Sequence, residues 1–518
     1  MIDSLNYILV HLGKSNKAQM KISLKVSKSS TMDVDTLNIF VWEDEIDKNL
    51  PDFPAEFLVY IRESVKKENF KGNVGEKLVL STRGLISAYK LVILGLGKKE
   101  SFDMNLLREQ VANSIRQSQE FKAIRVAFKI DDWILAKLDS KIAVHVISEA
   151  IYLSTYRFLK YKSEDDKNKK REIEEIFINV NAGKISQAEQ GIETAEAMSM
   201  AVFYARDLVN EAPQISTPSF LAQEAIKISK NSKGTVDVKI IEKDELEKLG
   251  MNAFLGVSRG SDEPPKFIIL RYKAARPRKK VVIIGKGITF DTGGLSLKPP
   301  QHMETMKLDM AGAASIFGVF SEISYFKPAV ELIGIIAACE NMPSGKALKP
   351  GDILKAFNGK TIEVLNTDAE GRLTLADALS FAVKKEKPDE IIDMATLTGA
   401  CMAALGADIA GLFGNNEKLL LSLEKSSKET GDAVWRMPLE EKYKELNKSH
   451  IADIKNIQTG KYGGAITAAL FLEEFVGKTP WAHLDIAGPA FMEKDTPLSP
   501  YGGSGFGVRL ILHYLNSL

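Results

Sequence analysis

The sequence is poor in cysteine and histidine. Its 518 residues include two cysteines, Cys339 and Cys401, and six histidines. So few cysteines exclude a disulfide framework and favour a reducing compartment. Residues 1–7 also lack the basic segment and apolar core of a secretion signal. From these absences we expect a cytoplasmic location.

Long apolar runs and an excess of one charge are also missing. No apolar run approaches the roughly 20 residues needed to span a bilayer, so no membrane association is expected. The 69 basic and 68 acidic residues give a net charge of +1. This balance provides no overall attraction to nucleic acid or to an anionic membrane, so we expect no nucleic-acid partner.

Several common catalytic motifs are absent. The chain has no Gly-x-Ser-x-Gly elbow and no His-Glu-x-x-His, which removes support for serine-hydrolase and zincin chemistry. Gly285-Lys-Gly287 matches neither the Walker nor the dinucleotide-binding pattern. His302 is interpreted as a solvated loop residue and His483 as a structural residue on a short strand, so neither is predicted to be catalytic.

The stretch Asn366-Thr-Asp-Ala-Glu-Gly-Arg-Leu373 is the first positive signal. A strand-like alternation over 361–365 precedes it and a helical period over 372–383 follows it. Side chains two apart in extended backbone face the same side, so Asp368 and Glu370 can converge on one centre. An ordinary solvated turn is the alternative, because Asn, Asp and Gly favour turns anyway.

A second segment carries more charged residues at element boundaries. A buried strand over 281–285 ends in Gly-Lys-Gly, followed by Asp291 and Lys298, and Asp309 stands at the head of a small-residue helix that extends to about residue 326. With Asp368 and Glu370, this makes four carboxylates that could not all stay ionised in one site. Two divalent cations would neutralise them. The lack of His and Cys in the cluster argues against a structural zinc site and suits Mg, Mn or Zn, with Mn or Zn preferred.

These residues resemble the M17 leucyl aminopeptidase family, whose signature octapeptide is complete at 366–373. The resemblance extends through the segments around Lys286, Asp309 and Thr396. It implies that one metal is held by Lys286, Asp291, Asp309 and Glu370, and a more exchangeable one by Asp291, Asp368 and Glu370. It further implies peptide substrates and a homohexamer with active sites facing an inner cavity.

The same resemblance makes Lys298 and Arg372 the catalytic pair, with Arg372 binding a bicarbonate ion that serves as general base. Two metals can share a hydroxide and polarise the scissile carbonyl, and Lys298 can stabilise the developing oxyanion. The alternative for Lys298 is an ordinary surface lysine before two prolines. The alternative for Arg372 is an ion pair with Glu370 at the start of a helix.

The resemblance also places six residues around the first side chain of the substrate, as a mostly apolar wall suited to leucine and similar residues. They are Met306, Thr396, Leu397, Gly399, Ala487 and Ala490. Some relatives carry a larger Met at the last position, so Ala490 predicts a deeper pocket. The alternative is that Thr396 and Gly399 only turn a strand into a helix.

Two function classes follow. The first is a dinuclear-metal aminopeptidase, and the second is a binding protein that keeps the fold without catalysis. A lapsed enzyme is expected to lose at least one of the residues assigned to metal binding or catalysis, yet all are present: Lys286, Asp291, Lys298, Asp309, Asp368, Glu370 and Arg372.

The predicted fold class is α/β with more than one domain, since 518 residues exceed an ordinary single domain. We predict a smaller N-terminal α/β domain over 1–175, a long linker helix within 176–212 and a larger catalytic domain over 213–518. A charged stretch at 160–172 marks the boundary. Buried strands at 281–285, 331–338, 361–365 and 390–394 alternate with helices, which favours a mostly parallel central sheet flanked by helices.

Overall fold

The structure is a computed structural model that describes residues 20–43, 45–51, 53–130, 134, 137–164 and 173–518. The contacts divide the chain into two compact units. One comprises residues 1–102, 113–148 and 161–192, and the other residues 103–112, 149–160 and 193–518. Residues 1–7 and most of the charged stretch at 160–172 lie outside the described residues. The domain limits drawn from the sequence stay a prediction.

The first unit contains a six-stranded sheet in the order β1-β6-β5-β2-β4-β3. All neighbours are parallel except β3 and β4. The strands are β1 Lys21–Lys25, β2 Thr36–Val41, β3 Lys77–Ser81, β4 Lys90–Gly95, β5 Arg125–Lys129 and β6 Glu175–Asn179.

One face of this sheet packs on a helix through alternating side chains. Leu37 and Ile39 of β2 are buried in one cluster with Phe57 and Ile61 of the helix Ala55–Lys67. Residues two apart on a strand share a face, and residues four apart share a face of a helix. The two periods therefore bring these four side chains together.

Further α-helices lie in the described residues between β1 and residue 210. They are Ile46–Asn49, Met104–Glu120, Ser140–Thr155 and Ile185–Asn210. The long helix predicted within 176–212 is confirmed as Ile185–Asn210. Residues 176–179 of the predicted linker range belong instead to strand β6.

The second unit contains an eight-stranded sheet in the order β15-β14-β17-β13-β9-β10-β8-β7. Its four middle strands are parallel, and antiparallel pairs lie toward both edges. The strands are β7 Val236–Ile241, β8 Lys266–Lys273, β9 Lys279–Asp291, β10 Val330–Asn341, β13 Glu390–Ala395, β14 Ala410–Gly414, β15 Val434–Arg436 and β17 Trp481–Asp485. The mostly parallel central sheet is confirmed.

Helices cover both faces of this sheet, which explains why its middle strands read as continuous apolar runs. Val281 and Ile283 of β9 belong to one buried cluster, whereas Val282 and Ile284 belong to the other. The first cluster includes the helix Ala311–Phe326 and the second the helix Gly371–Phe381. The remaining helices of this unit are Pro218–Asn231, Lys243–Leu249, Asn252–Ser258, Pro300–Met303, Gly399–Leu405, Glu417–Thr430, Gly464–Glu473 and Val508–Asn516.

The prediction that a strand over 361–365 joins the central sheet is wrong. This segment forms β12, Thr361–Glu363, in a separate three-stranded sheet between β11 Ile353–Lys355 and β16 Ile454–Lys455. Only Ile362 of β12 is buried. Such a half-buried strand suits a sheet with one solvated face and not the doubly covered centre of a parallel sheet.

The prediction that the strand over 281–285 ends at Gly-Lys-Gly is also wrong, because β9 continues to Asp291. Its neighbour β10 pairs with it along the whole length, from Val330 with Lys279 to Asn341 with Asp291. The glycines therefore allow close packing and do not end the strand. A small two-stranded sheet, β18 Phe491–Met492 with β19 Gly502–Gly503, completes the strands.

No helix among the described residues combines the length and apolar character needed to cross a bilayer.

Candidate metal centre

Three segments of the second unit bring buried acids together. Asp291 is the last residue of β9, Asp309 lies in the 3-10 helix Met306–Met310, and Glu370 immediately precedes the helix Gly371–Phe381. Each of the three is at most 3% exposed. They can present carboxylate oxygens that all lie within 4.8 Å of one another. This is the spacing of ligands around a metal ion.

Lys286 lies inside this group, on the same strand as Asp291. Its Nζ is 2.8 Å from Asp309 Oδ1 and 3.0 Å from Glu370 Oε1, and it donates to the carbonyl of Thr396 at 2.9 Å. Burial opposes the charged amine, but the surrounding carboxylates hold the pKa of Lys286 above its usual range. The lysine is therefore an ammonium as long as the acids are its partners.

The same acids have unfavourable surroundings as bare carboxylates. Burial raises the pKa of Asp309 and of Glu370, and the negative charge of Asp291 adds to this effect in both. Asp309 Oδ2 and Glu370 Oε2 are buried and have no hydrogen-bond partner. Unpaired buried oxygens on acids are costly, and a divalent cation would use them as ligands. The residues present therefore fit a metal.

Lys298 bridges two of the predicted ligands. Its Nζ lies 2.9 Å from Asp291 Oδ2 and 2.5 Å from Asp368 Oδ1. Burial opposes its charge as well, yet Asp291 and Asp368 raise the pKa of Lys298 above its usual range. Asp368 lies outside the tight group of three acids. The site thus holds four carboxylates against two ammonium groups.

Arg372 is almost wholly buried and has a single hydrogen-bond partner among the described residues. Its Nη1 donates to the carbonyl of Asn456 at 2.7 Å, while its Nε has no partner. Burial lowers the pKa of Arg372 to about 10. A buried guanidinium with an unused donor fits a small planar anion, and the predicted bicarbonate is one such anion.

Two glycines are required by this packing. A Cβ atom on Gly371 would lie 2.5 Å from Lys286 Cε. Gly293 has a φ of +85°, and a Cβ there would lie 2.8 Å from Asp368 Oδ1. Without these side chains, the backbone comes close enough for the lysine and the acids to meet.

The six predicted pocket residues lie around the ends of β13 and β17 and on the 3-10 helix. Thr396 is buried, and its Oγ1 donates to Asp309 Oδ1 at 2.6 Å. Gly399 is exposed and begins the helix Gly399–Leu405, while Ala490 is 2% exposed. Half-buried positions are taken by Met306, Leu397 and Ala487. Their contact with a substrate stays a prediction.

Asp485 was missed in the sequence although it orders these segments. Its Oδ1 accepts from the backbone N–H of Leu397 and of Ala487, each at 3.2 Å, and its Oδ2 accepts from Thr398 Oγ1 at 2.6 Å. Its position at the carboxyl end of a parallel strand was the available signal.

Asn341 was missed as well. Its Nδ2 donates to Asp291 Oδ1 at 2.8 Å and to the carbonyl of Thr367 at 3.0 Å. It therefore links two ligand-bearing segments. Asn341 is the last residue of β10, three residues beyond the predicted end of that strand, so the strand-end rule would have found it with better limits.

The two histidines considered in the sequence lie apart from the acids. His302 is exposed. His483 is buried, and its Nδ1 is 2.6 Å from Asp393 Oδ1, while Trp481 Nε1 donates to the other oxygen of that carboxylate. The interpretation of His483 as a paired structural residue agrees with this geometry.

Comparison with known proteins identifies the family that carries this arrangement. Residues 203–512 match the cytosol aminopeptidase family, catalytic domain, and residues 39–165 match the N-terminal domain of the same family. The chain belongs to the cytosol aminopeptidase family. It is therefore a peptide-bond hydrolase of the aminopeptidase class, and the resemblance drawn from the sequence is confirmed.

Individual relatives are similar over nearly the whole chain. A probable cytosol aminopeptidase of Alkaliphilus metalliredigens (strain QYMF) is 42% identical over 508 residues, which cover 96% of this chain and all of the relative. Among solved structures, a point mutant of tomato leucine aminopeptidase has 32% identity and a TM-score of 0.86, with 98% of each chain covered. The bottromycin maturation enzyme BotP in complex with Mn has 29% identity and a TM-score of 0.80, covering 93% of this chain and 99% of BotP. The two-domain α/β fold class is thereby confirmed.

Proposed function

We propose that this aminopeptidase depends on two divalent metal ions, Mn or Zn, and releases leucine and other apolar residues from the N-terminus of peptides in the cytoplasm. The observation that carries the proposal is the meeting of buried acids around Lys286, with oxygens of Asp309 and Glu370 left unpaired. The Mn bound by the related BotP supports the choice of metal.

The residues that would hold the ions are those assigned from the family resemblance. Lys286, Asp291, Asp309 and Glu370 would hold one ion, and Asp291, Asp368 and Glu370 the other. The ions would supply the positive charge that activates a water molecule as the nucleophile and polarises the scissile carbonyl. Four carboxylates match this role because oxygen-rich sites suit Mn and tolerate Zn. Lys286, an ammonium while the acids are its partners, would become a ligand only after the charge of the ion displaced its proton.

Lys298 and Arg372 act on the substrate side of the acids. We assign Lys298 to the negative charge that develops on the carbonyl oxygen, since its ammonium already lies beside two of the ligand carboxylates. Arg372 offers its unpaired Nε to a bicarbonate anion. The bicarbonate would accept the proton and so act as the general base, because the group of acids contains no histidine.

Cleavage is assigned to the first peptide bond because the substrate's free α-amine anchors it. A neutral amine is a good ligand and hydrogen-bond partner beside carboxylates, whereas an acetylated amide nitrogen is a poor donor of electrons. The first side chain of the substrate would lie against the apolar wall that includes Met306 and Ala490.

The test compares leucyl peptides with a free and an acetylated N-terminus, in the presence of Mn²⁺. We expect hydrolysis of the free peptide and no detectable cleavage of the acetylated one, with products identified by mass spectrometry. Equal cleavage of both would indicate an endopeptidase and would contradict the proposal.

A further inference from the structure

Residues 366–372, which we call the acidic turn, lead from strand β12 into the first residues of the helix Gly371–Phe381 and carry Asp368, Glu370 and Arg372. Most of this turn has no regular secondary structure of its own. Its backbone groups therefore need partners from elsewhere in the fold. A side chain that supplies those partners also decides where the two acids and the guanidinium point.

Asn456 reaches the acidic turn by continuing a strand. It follows β16, which runs parallel to β12 with Ile454 beside Ile362 and Lys455 beside Glu363. The backbone N–H of Asn456 donates to the carbonyl of Glu363 at 2.9 Å and extends this ladder by one step. The side chain of Asn456 therefore lies beside the point where β12 ends and the chain enters the acidic turn.

The side chain of Asn456 binds the start of the acidic turn and its middle. Its Oδ1 accepts from the N–H of Leu365 at 2.9 Å and of Asn366 at 3.4 Å. Its Nδ2 donates to the carbonyl of Asn366 at 2.7 Å and of Ala369 at 3.3 Å. Asn456 is fully buried, so its side chain makes these four bonds away from bulk solvent.

The backbone of Asn456 also fixes the guanidinium. Its carbonyl accepts the hydrogen bond from Arg372 Nη1 at 2.7 Å, which is the guanidinium's single hydrogen bond within the described chain. One residue thus holds the turn that bears Asp368 and Glu370 and sets the direction of Arg372. No other side chain type of this size offers an acceptor and two donors in one plane.

We propose that Asn456 is the positioning residue of the metal centre. Its amide holds the acidic turn so that Asp368 and Glu370 reach the ions and the unpaired Nε of Arg372 faces the anion. The part of this inference that concerns turnover rests on the proposed function. The part that concerns metal binding does not depend on which bond is cut.

The test measures Mn²⁺ binding by calorimetry on the full chain, together with kcat and KM for a leucyl anilide. Asn456→Ala removes all four side-chain bonds, and Asn456→Asp keeps the size and the acceptor but loses both donations. Partners that orient metal ligands typically contribute 10- to 100-fold to affinity or activity. We therefore expect both variants to bind Mn²⁺ at least about 10-fold more weakly and to lose about 10-fold or more in kcat, with KM changed less than about threefold.

Asn447→Ala is the matched control. Asn447 is also buried, at 4% exposure, and its Nδ2 donates to the carbonyl of Thr467 at 2.8 Å. It makes no hydrogen bond to the acidic turn in the described chain. We expect this variant to lose thermal stability while keeping the Mn²⁺ affinity and kcat of the unaltered protein.

Three results would overturn or separate the claims. Unaltered Mn²⁺ affinity and kcat in both Asn456 variants would contradict the inference, and so would equal losses in Asn447→Ala, because these would indicate general destabilisation. The Asn456 variants could bind Mn²⁺ more weakly while the unaltered protein cleaves no leucyl substrate. That result would uphold the positioning role and refute the proposed function.

Discussion

Lys298 is the residue that best separates metal binding from catalysis. It contacts Asp291 and Asp368 yet is assigned to the substrate's developing oxyanion. We predict that Lys298→Ala keeps two metals per chain and lowers kcat by roughly 100-fold, because its charge acts mainly in the transition state. Metal analysis and steady-state kinetics check this.

The control for that variant is Lys346→Ala, which removes an exposed lysine on the loop after β10. It should leave kcat unchanged. A raised KM with normal kcat in Lys298→Ala would make Lys298 a substrate-binding residue and would contradict the catalytic assignment.

At the residue scale, sequence reasoning found the charged groups but not the uncharged ones that hold them. Acids and lysines at element boundaries are recognisable because burying such groups together has few explanations other than a metal or a substrate. Asn341 and Asn456 carry no charge and gave no comparable signal. Their roles depend on backbone groups from segments distant in sequence, and those pairings exist only once the sheets have formed.

Gly371 carries a testable consequence at the scale of elements. It begins the helix Gly371–Phe381, and a Cβ atom there would lie 2.5 Å from Lys286 Cε on β9. We predict that Gly371→Ala displaces the buried Lys286 side chain from Asp309 and Glu370, lowers the free energy of unfolding by about 1–3 kcal/mol and abolishes high-affinity metal binding. Denaturant unfolding and calorimetry measure the two effects.

Gly345→Ala provides the comparison, since a Cβ there meets no atom within 4 Å. It should change neither stability nor metal binding appreciably. Normal metal affinity in Gly371→Ala would show that the helix can shift without disturbing Lys286, and the close-packing argument would fail.

Element types were predictable where the hydrophobic period was strong. The helix Ile185–Asn210 and the strands β9, β10 and β13 were all located from pattern. Sheet membership was less accessible, as β12 shows, because a three-residue strand with one buried side chain carries too little pattern to specify its partners. The end of β9 was misplaced because the sequence does not distinguish a glycine inside a strand from a glycine that follows the strand.

At the scale of the whole molecule, the family resemblance leads us to propose a homohexamer. The chain mass of 57.2 kDa places the hexamer far from the monomer in light scattering. We predict a single species of about six chains, because enclosing the active sites in a cavity would restrict them to short or unfolded peptides. A monomer with full activity would refute this assembly.

The central claim is that buried acids and Lys286 form a metal centre on which aminopeptidase activity depends. The most direct measurement is hydrolysis of a leucyl chromogenic amide by protein stripped with a chelator, before and after addition of Mn²⁺ or Zn²⁺. The account predicts no turnover in the stripped protein and recovery with either ion, because the acids alone supply neither an activated water nor a polarised carbonyl. Full turnover by the thoroughly stripped protein would contradict it.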